Sequence, residues 1–237
     1  KKKTYKLTCK VKVKAKKTVV ASSLKDTDAK IVPYMGTCLN YGSASNPREL
    51  QNASTMKFVK KQYNSFTLEN EMKPDAILGS SAKLISVADA KKKGYYIPAG
   101  YTESTVPELA FTTVDKSLEA AKNNGLKMRA HTLVWHSQTP SWFFTKNYDG
   151  SKVVTPAVMD ARLDFYIHNV MGHVMDKEKA LTGSAGSIVY AWDVVNEYLH
   201  RPSFAFFKTW TSVYGNMGNS PSYVKKAFEI AYDMLKS

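Results

Sequence analysis

Strand-like and helix-like segments alternate along this chain, and the alternation restricts the folds that it can adopt. Runs rich in Val, Ile, Leu and aromatic residues are typical of strands and lie at residues 31–40, 65–71, 126–136 and 188–197. Segments of helical character follow them at residues 50–62, 110–124, 156–175 and 222–236. Gly125 stands where the second helix would end. This order predicts parallel strands with helices on the outside, in an α/β sheet or barrel.

Polar residues close three of the four predicted strands. They are Glu69, Asn70 and Glu71 on the second strand, His131, Trp135, His136 and Gln138 on the third, and Asn196 and Glu197 on the fourth. Parallel sheets and barrels bind ligands at the carboxyl ends of their strands. We therefore expect these side chains to converge on one cleft.

The residue types at this predicted edge suit a carbohydrate. Tryptophan faces stack on sugar rings, and Trp135 and Trp142 lie in this region, although Trp142 could equally pack in the core. Carboxylates, amides and Lys73 supply the hydrogen bonds that sugar hydroxyls require. Hydrolysis of a glycosidic bond needs one carboxylic acid to protonate the leaving oxygen and a second carboxylate on the other face of the sugar.

Three segments together resemble the signatures of family 10 glycoside hydrolases. They are E-N-E-M-K at residues 69–73, H-T-L-V-W-H-S-Q-T-P-S-W at residues 131–142 and W-D-V-V-N-E at residues 192–197. The family consists mainly of endo-1,4-β-xylanases on a TIM (β/α)8 barrel. The resemblance implies that residues 30–237 supply roughly the first four β/α units of that barrel, with an insertion at about residues 79–107. Residues 1–29 are then a basic extension or the end of a preceding module.

The resemblance also implies a catalytic role at the end of the fourth strand. Glu197 matches the general acid/base of a retaining, endo-acting hydrolysis of β-1,4-xylosidic bonds, and Asn196 matches the residue that binds the 2-hydroxyl of the reacting xylose. The residues that match the floor of the reacting subsite are His131, Trp135 and Gln138.

Other matches lie beside that subsite. Glu69, Asn70 and Lys73 match the groups that hold sugar units on the non-reducing side of the scissile bond. His136 matches a histidine packed behind the site. Glu71 has two interpretations: it orients its neighbours, or, if the chain acts alone, it is the best local candidate for the second carboxylate.

The chain departs from the family pattern in three places. The segment 79–107, with Tyr95, Tyr96 and Tyr101, could reshape the non-reducing end of the groove or form an inert surface loop. Y-L-H-R-P after Glu197 differs from the small or acidic residues that are usual there. The T-E-hydrophobic-D segment that carries the nucleophile on the seventh strand is absent from this sequence.

Half a barrel would expose two strand edges and invite aggregation. We therefore expect the chain to be one segment of a larger enzyme, with the C-terminal half of the barrel as a separate or cleaved chain and a partner. Xylan or a xylo-oligosaccharide is the other expected partner, and a polymeric substrate favours an extracellular or cell-surface location. A non-catalytic β-glycan-binding protein on a half or degenerate barrel is the alternative function.

The charge distribution argues against a nucleic-acid partner. Nine of the fourteen net positive charges come from lysines in residues 1–17, where Cys9, Val11, Val13 and Ala15 alternate with lysines. Period-two alternation predicts a strand with one solvated face, either at a sheet edge or ending a preceding module; a polyanion-binding arm is the alternative. We expect no membrane partner, no cofactor and no metal, because the chain lacks a membrane-length apolar run, a P-loop, a dinucleotide fingerprint and a zinc motif.

Overall fold

The computed structural model of the protein describes residues 23–27, 29–199, 209–215 and 221–236, with Lys3, Thr8, Lys10 and Lys12. The strands in these ranges are β1 (Gly36–Leu39), β2 (Ser65–Leu68), β3 (Leu84–Ser86), β4 (Thr105–Pro107), β5 (Lys127–Val134) and β6 (Val189–Val195). The α-helices are α1 (Leu24–Thr27), α2 (Ala53–Gln62), α3 (Pro74–Leu78), α4 (Val87–Lys92), α5 (Thr112–Asn124), α6 (Pro156–Thr182), α7 (Trp210–Tyr214) and α8 (Ser222–Lys236). Short 3-10 turns occur at Glu49–Gln51, Ser141–Phe144 and Lys146–Tyr148.

One parallel sheet organises the chain. Its strands lie in the order β1-β2-β5-β6, and every neighbouring pair is parallel. The crossovers carry α2 between the first two strands, α5 between β2 and β5, and α6 between β5 and β6. The predicted α/β architecture is therefore confirmed.

The two faces of the sheet differ in character. Phe66, Leu68, Met128 and Ala130 alternate onto one face, where they are buried in the hydrophobic core. The opposite face carries polar side chains, including the exposed Arg129. Side chains alternate between the two faces of a strand, so these strands present an apolar face to the core and a polar face on the other side.

Several predicted boundaries need correction, including the end of the second strand, which is predicted at residue 71 and lies at Leu68. The first strand is predicted over residues 31–40 but begins only at Gly36, because Pro33 has no N–H for a ladder and the side chain of Asn64 accepts a hydrogen bond from the Met35 N–H at 2.8 Å. The helix predicted to end at residue 175 continues to Thr182 and stops at Gly183, which has a φ of 88°. The predicted helix end at Gly125 is confirmed, with a φ of 64°.

The insertion forms a folded unit that packs on α6. Its two strands, β3 and β4, pair antiparallel, and α4 lies between them. The guanidinium of Arg162 on α6, which is fully buried, forms a bidentate ion pair with Glu103 of the insertion and donates to the Phe143 carbonyl at 2.6 Å. Tyr95 and Tyr101 pack on Phe165 of α6. The segment is thus an integral part of the core, and its effect on the groove stays a prediction.

Some sequence predictions concern residues beyond these ranges. The alternating pattern between residues 9 and 16, and the segment that follows residue 199, lie largely outside the described residues. Within the described part of the chain, no helix combines the length and apolar character that a membrane span requires.

Candidate active site

The carboxyl ends of the four parallel strands meet at one edge of the sheet. Leu39 is in register with Leu68, and Val134 is in register with Val195, so the residues that follow each strand emerge side by side. The Asn196 N–H donates to the Val134 carbonyl at 2.8 Å and continues this pairing beyond β6. The edge therefore brings the predicted site residues together.

Lys73 is the centre of the first group of contacts. Its ammonium donates to Asn70 Oδ1 at 3.1 Å and to Gln138 Oε1 at 2.8 Å, and it lies 4.9 Å from the centre of the Trp135 ring. The residue is only 9% exposed, so its charge is held by these amide and aromatic partners. Four predicted sugar-binding residues are joined in one network.

Asp75 supports this network, although sequence reasoning did not identify it. Its backbone N–H donates to the Gln138 carbonyl at 2.8 Å, and its carboxylate accepts from Gln138 Nε2 at 3.4 Å. Gln138 has a φ of 45°, an uncommon value for a residue other than glycine. Asp75 thus helps to hold Gln138 in the conformation that presents its amide oxygen to Lys73. The position of Asp75, directly after Lys73 and Pro74, was the feature of the sequence that could have indicated this role.

Glu197 is the second residue after β6 and contacts the residues that follow β5. Trp135 Nε1 donates to Glu197 Oε2 at 3.0 Å, and His136 Nε2 is 4.0 Å from the same oxygen. The Glu197 side chain is 42% exposed, and its backbone has a φ of 49°. The carboxylate therefore accepts a hydrogen bond from an indole N–H and is partly exposed.

Glu69 and Glu71 occupy different environments. Glu69 accepts a hydrogen bond from Asn40 Nδ2 at 2.8 Å and is exposed at the end of β2. Glu71 accepts from two backbone N–H groups, Tyr41 at 2.9 Å and Asn70 at 3.2 Å. A carboxylate held in this way fixes the loops after β1 and β2, which favours the orienting interpretation of Glu71.

His131 lies on the polar face of the sheet, in a triad with Asp193 and Arg129. Its Nδ1 is 2.9 Å from Asp193 Oδ2, and Arg129 forms an ion pair with the other oxygen of the same carboxylate. Burial of Asp193 opposes its ionisation, but the hydrogen bonds from His131 and Arg129 outweigh this and lower the pKa of the carboxyl from 3.8 to about 2. Asp193 was not predicted, yet a charged residue inside an apolar strand was a usable signal.

One tryptophan and one amide complete the description. Trp142 is 8% exposed, packs edge-on against Phe143 and Tyr148, and donates to the Gly79 carbonyl at 3.2 Å, which favours its core-packing interpretation. The side chain of Asn196 makes no hydrogen bond to another described residue and is half-buried beside Glu197.

The site combines an oriented carboxylate, a held ammonium, several amides and an indole ring at one open edge. These groups can bind the hydroxyls of a neutral polyhydroxylated ligand, and the carboxylate can exchange a proton with it.

Comparison with known proteins finds similar sequences among endo-1,4-β-xylanases. The endo-1,4-β-xylanase A of Butyrivibrio fibrisolvens is 46% identical over 205 residues, which cover 86% of this chain and 46% of the relative. The endo-1,4-β-xylanase B of the same organism is 38% identical over 191 residues, covering 80% of this chain and 26% of the relative. The chain therefore spans less than half the length of these relatives.

Solved structures resemble the fold as well. The xylanase 10B modules of Clostridium thermocellum, solved with xylohexaose, match with a TM-score of 0.65 and 29% identity over 93% of this chain and 39% of theirs. A mutant of the intracellular xylanase of Thermoanaerobacterium saccharolyticum, solved with xylotetraose, matches with a TM-score of 0.58 and 28% identity over 86% of this chain and 51% of its own.

The sequence model of glycosyl hydrolase family 10 matches residues 23–236, nearly the whole chain. The parallel sheet, the convergent polar edge and these relatives agree: the chain belongs to glycosyl hydrolase family 10, and its sheet and helices are part of a TIM barrel.

Proposed function

We propose that the chain carries the acid/base half of a retaining endo-1,4-β-xylanase and that Glu197 is its proton donor. The observation that carries this proposal is the hydrogen bond from Trp135 Nε1 to Glu197 Oε2 at 3.0 Å, at the edge where Lys73, Asn70 and Gln138 form their network. The names of the relatives support xylan as the substrate.

The reaction proceeds in two displacements. Glu197 gives its proton to the glycosidic oxygen while a carboxylate from another segment of the enzyme attacks the anomeric carbon, so the C–O bond to the leaving sugar breaks and a glycosyl ester forms. The Glu197 carboxylate then takes a proton from water, whose oxygen attacks the same carbon and releases the second carboxylate. The anomeric configuration is retained because the centre is inverted twice.

The remaining site residues bind different parts of the substrate. Lys73, Asn70 and Glu69 hold sugar units on the non-reducing side, and His131, Trp135 and Gln138 form the floor of the reacting subsite. Asn196 bonds the 2-hydroxyl of the reacting xylose. The half-buried position of its side chain beside Glu197, and its lack of a hydrogen-bonding partner among the described residues, support this role.

Replacement of Glu197 by Gln in the full-length enzyme tests the assignment. Hydrolysis of xylan should fall by about 10²–10⁴-fold, because its leaving alcohol needs a proton. The first step on a dinitrophenyl xylobioside should proceed at a nearly normal rate, because that leaving group departs unprotonated. Glu69→Gln is the matched control. It should lower the rates on xylan and on the dinitrophenyl xylobioside by similar factors. Near-normal hydrolysis of xylan by the Glu197 variant would contradict the proposal. Wild-type protein that binds xylohexaose without releasing sugars would favour the β-glycan-binding alternative.

We also propose that a further segment completes the barrel by pairing with β1 and β6. Among the described strands, each of these has a neighbour on one side only. On α8, Phe228, Tyr232 and Leu235 lie on one stripe and are 52%, 59% and 62% exposed, although their helix packs on α6 through its other face. This stripe is suited to packing against the next unit of the barrel.

The completing segment can be tested at Phe228. Replacing it with Ala in the full-length protein should lower the free energy of unfolding by about 1–3 kcal/mol, whereas the same change in residues 1–237 alone should have an effect close to zero. The control is Asp233→Ala on the same helix, because this exposed residue lies five positions after Phe228 and therefore about 140° around the helix from it. Equal effects of Phe228→Ala in both proteins would contradict the proposed packing.

An extracellular or cell-surface location is proposed because xylan is a polymer. One relative is described as intracellular, so the family does not decide the compartment. Fractionation of the native host, with xylanase activity in the medium or at the surface as the expected result, tests the location; activity confined to the cytoplasm would contradict it.

A further inference from the structure

A second cavity lies away from the carboxyl edge of the sheet. It has a volume of about 330 Å³, is open on one side, and is lined by the insertion, the start of α5, the middle of α6 and the end of α8. None of its lining residues belongs to the proposed xylan site. Pockets of this size are large enough for a small ligand.

Two stacked ring pairs line this cavity. Tyr96 stacks on His168 with ring centres 4.1 Å apart, and Phe111 stacks on His173 with centres 3.8 Å apart. Each imidazole is also held by a hydrogen bond: His168 Nδ1 is 3.1 Å from the Asp164 backbone carbonyl, and His173 Nε2 is 2.7 Å from the Asp115 carboxylate. The walls therefore consist of flat rings in set orientations.

The backbone of the insertion is held rigidly at this cavity. Asn169, a buried residue on α6, accepts from the Tyr96 N–H at 2.9 Å and donates to the Tyr96 carbonyl at 2.9 Å. A side-chain amide that satisfies both backbone groups of one residue fixes the position of that residue. Tyr96 is thus placed in advance of any ligand, which reduces the entropy lost on binding.

A glycine in α6 keeps the cavity open. Gly172 lies inside the helix, where glycine is less favourable than alanine. No close neighbour requires it, because a Cβ at this position would meet only Met234 Cε, at the ordinary contact distance of 3.8 Å. A larger side chain would instead project into the space that Gly172 lines.

The chemistry of the walls favours a neutral ligand with flat apolar faces and a polar rim. Lys93 is paired with Glu108, and a ring nitrogen of each histidine lies close to a carboxylate, so these polar groups already have neighbours within the protein. No group of three potential metal ligands occurs in the described ranges. Asp176 is exposed at the mouth and can accept hydrogen bonds from hydroxyl groups. A pyranose ring has this combination of C–H faces and equatorial hydroxyls.

We propose that this cavity is a second carbohydrate site, which binds a xylosyl unit of a β-1,4-linked chain outside the catalytic cleft. The identity of the sugar rests on the proposed xylanase function, whereas the existence of the site rests on the cavity itself. Such a site would hold the polymer on the enzyme between cleavage events.

Histidine-labelled NMR of the full-length protein can observe the two sites separately. His131 and His136 report on the cleft, and His168 and His173 report on the cavity, with each signal assigned from a His→Gln variant. Titration with xylotriose should shift the signals of His168 and His173 in a saturable manner. Maltotriose, which has α-linkages, should not produce this shift, and cellotriose tests whether the site requires xylose.

Two variants separate direct from indirect effects. Gly172→Leu should weaken binding at the cavity at least tenfold while the shifts of His131 and His136 persist; these signals also show that the variant is folded. If it is unfolded, Tyr96→Ala serves in its place. Lys73→Ala should weaken the binding of xylotriose in the cleft. The shifts of the His168 and His173 signals should remain.

The outcomes distinguish the two proposals. Absence of shifts at His168 and His173 while the cleft histidines respond would overturn the second site and leave the proposed function standing. Cavity shifts that vanish with Lys73→Ala would also overturn it, because they would originate in the cleft. Cavity shifts without any response at His131 and His136 would support the second site and count against the proposed function. A response of the cavity to cellotriose alone would overturn its assignment to xylosyl units.

Discussion

Trp135 Nε1 donates a hydrogen bond to Glu197 Oε2 over 3.0 Å, and this contact joins the ends of β5 and β6. The indole also lies under the Lys73 ammonium, 4.9 Å from its ring centre. A single aromatic side chain therefore links the proposed proton donor to the sugar-binding network, and the two parts of the site should respond together to changes at Trp135.

Trp135→Phe removes the N–H donor and keeps an aromatic ring. A hydrogen bond to a charged group contributes about 1.5–3 kcal/mol, so kcat/KM for xylan should fall by about 10–100-fold. Steady-state kinetics on xylan measures the loss. The control is Trp142→Phe, which loses a bond to the Gly79 carbonyl in the core and should change the unfolding midpoint more than the rate. An equal loss of rate in both variants would show that the bond to Glu197 has no special role.

The Asp193 triad should make stability depend on pH in the acid range. The pKa of this carboxyl is lowered from 3.8 to about 2, so its contribution is fully present above about pH 4 and is lost as pH falls through 2. Asp193→Asn should lower the free energy of unfolding at pH 7 by about 1–2 kcal/mol, a value reduced because Arg129 is half exposed.

Denaturant unfolding of both proteins between pH 7 and pH 2 measures this effect. The difference between wild type and Asp193→Asn should narrow as the pH is lowered below 4. A difference that stays constant down to pH 2 would show that ionisation of Asp193 is not its source.

Asp75 should act on binding through Gln138. Asp75→Ala removes the acceptor at 3.4 Å from Gln138 Nε2 and should raise KM for xylotetraose about three- to tenfold, with a smaller change in kcat. Asp75→Asn keeps one side-chain oxygen and should restore most of the affinity. A fall in kcat at unchanged KM, without rescue by Asn, would contradict this positioning role.

Two glycines should respond in opposite ways to substitution by alanine. Gly172→Ala should raise the free energy of unfolding by about 0.5–1 kcal/mol, because the helix is favoured and the added Cβ meets only Met234 Cε at 3.8 Å. Gly125→Ala should lower it by about 1 kcal/mol, because this residue has a φ of 64°. Urea denaturation measures the change in the free energy of unfolding for each variant. Destabilisation by Gly172→Ala would show a packing requirement at this position.

The order of the elements could be predicted because each carries a local signal. The parallel sheet follows from alternating strand-like and helix-like segments, and the helix end at Gly125 follows from one residue. The convergence of Lys73, Asn70, Gln138, Trp135 and Glu197 could also be predicted, because parallel strands place their carboxyl ends at one edge.

Other features depend on contacts between distant segments and had no local signal. The insertion packs on α6 through Arg162 and Glu103, which are 59 residues apart. The cavity requires contact between Tyr96 and His168, which are also far apart in the sequence. The periodicity of apolar residues cannot predict such a contact. The ring stacks of His168 and His173 on α6 also join distant segments, and no local pattern predicts the cavity beside them.

The central claim is that Glu197 supplies the proton in a retaining double displacement. The most direct measurement treats Glu197→Ala in the full-length enzyme with a dinitrophenyl xylobioside and azide, a small anion that can occupy the space left by the carboxylate. The account predicts that azide restores turnover and that the product is the β-configured xylobiosyl azide, because the anion attacks the glycosyl ester from the face that Glu197 served. An α-configured azide, or no restoration of turnover by azide, would contradict the account.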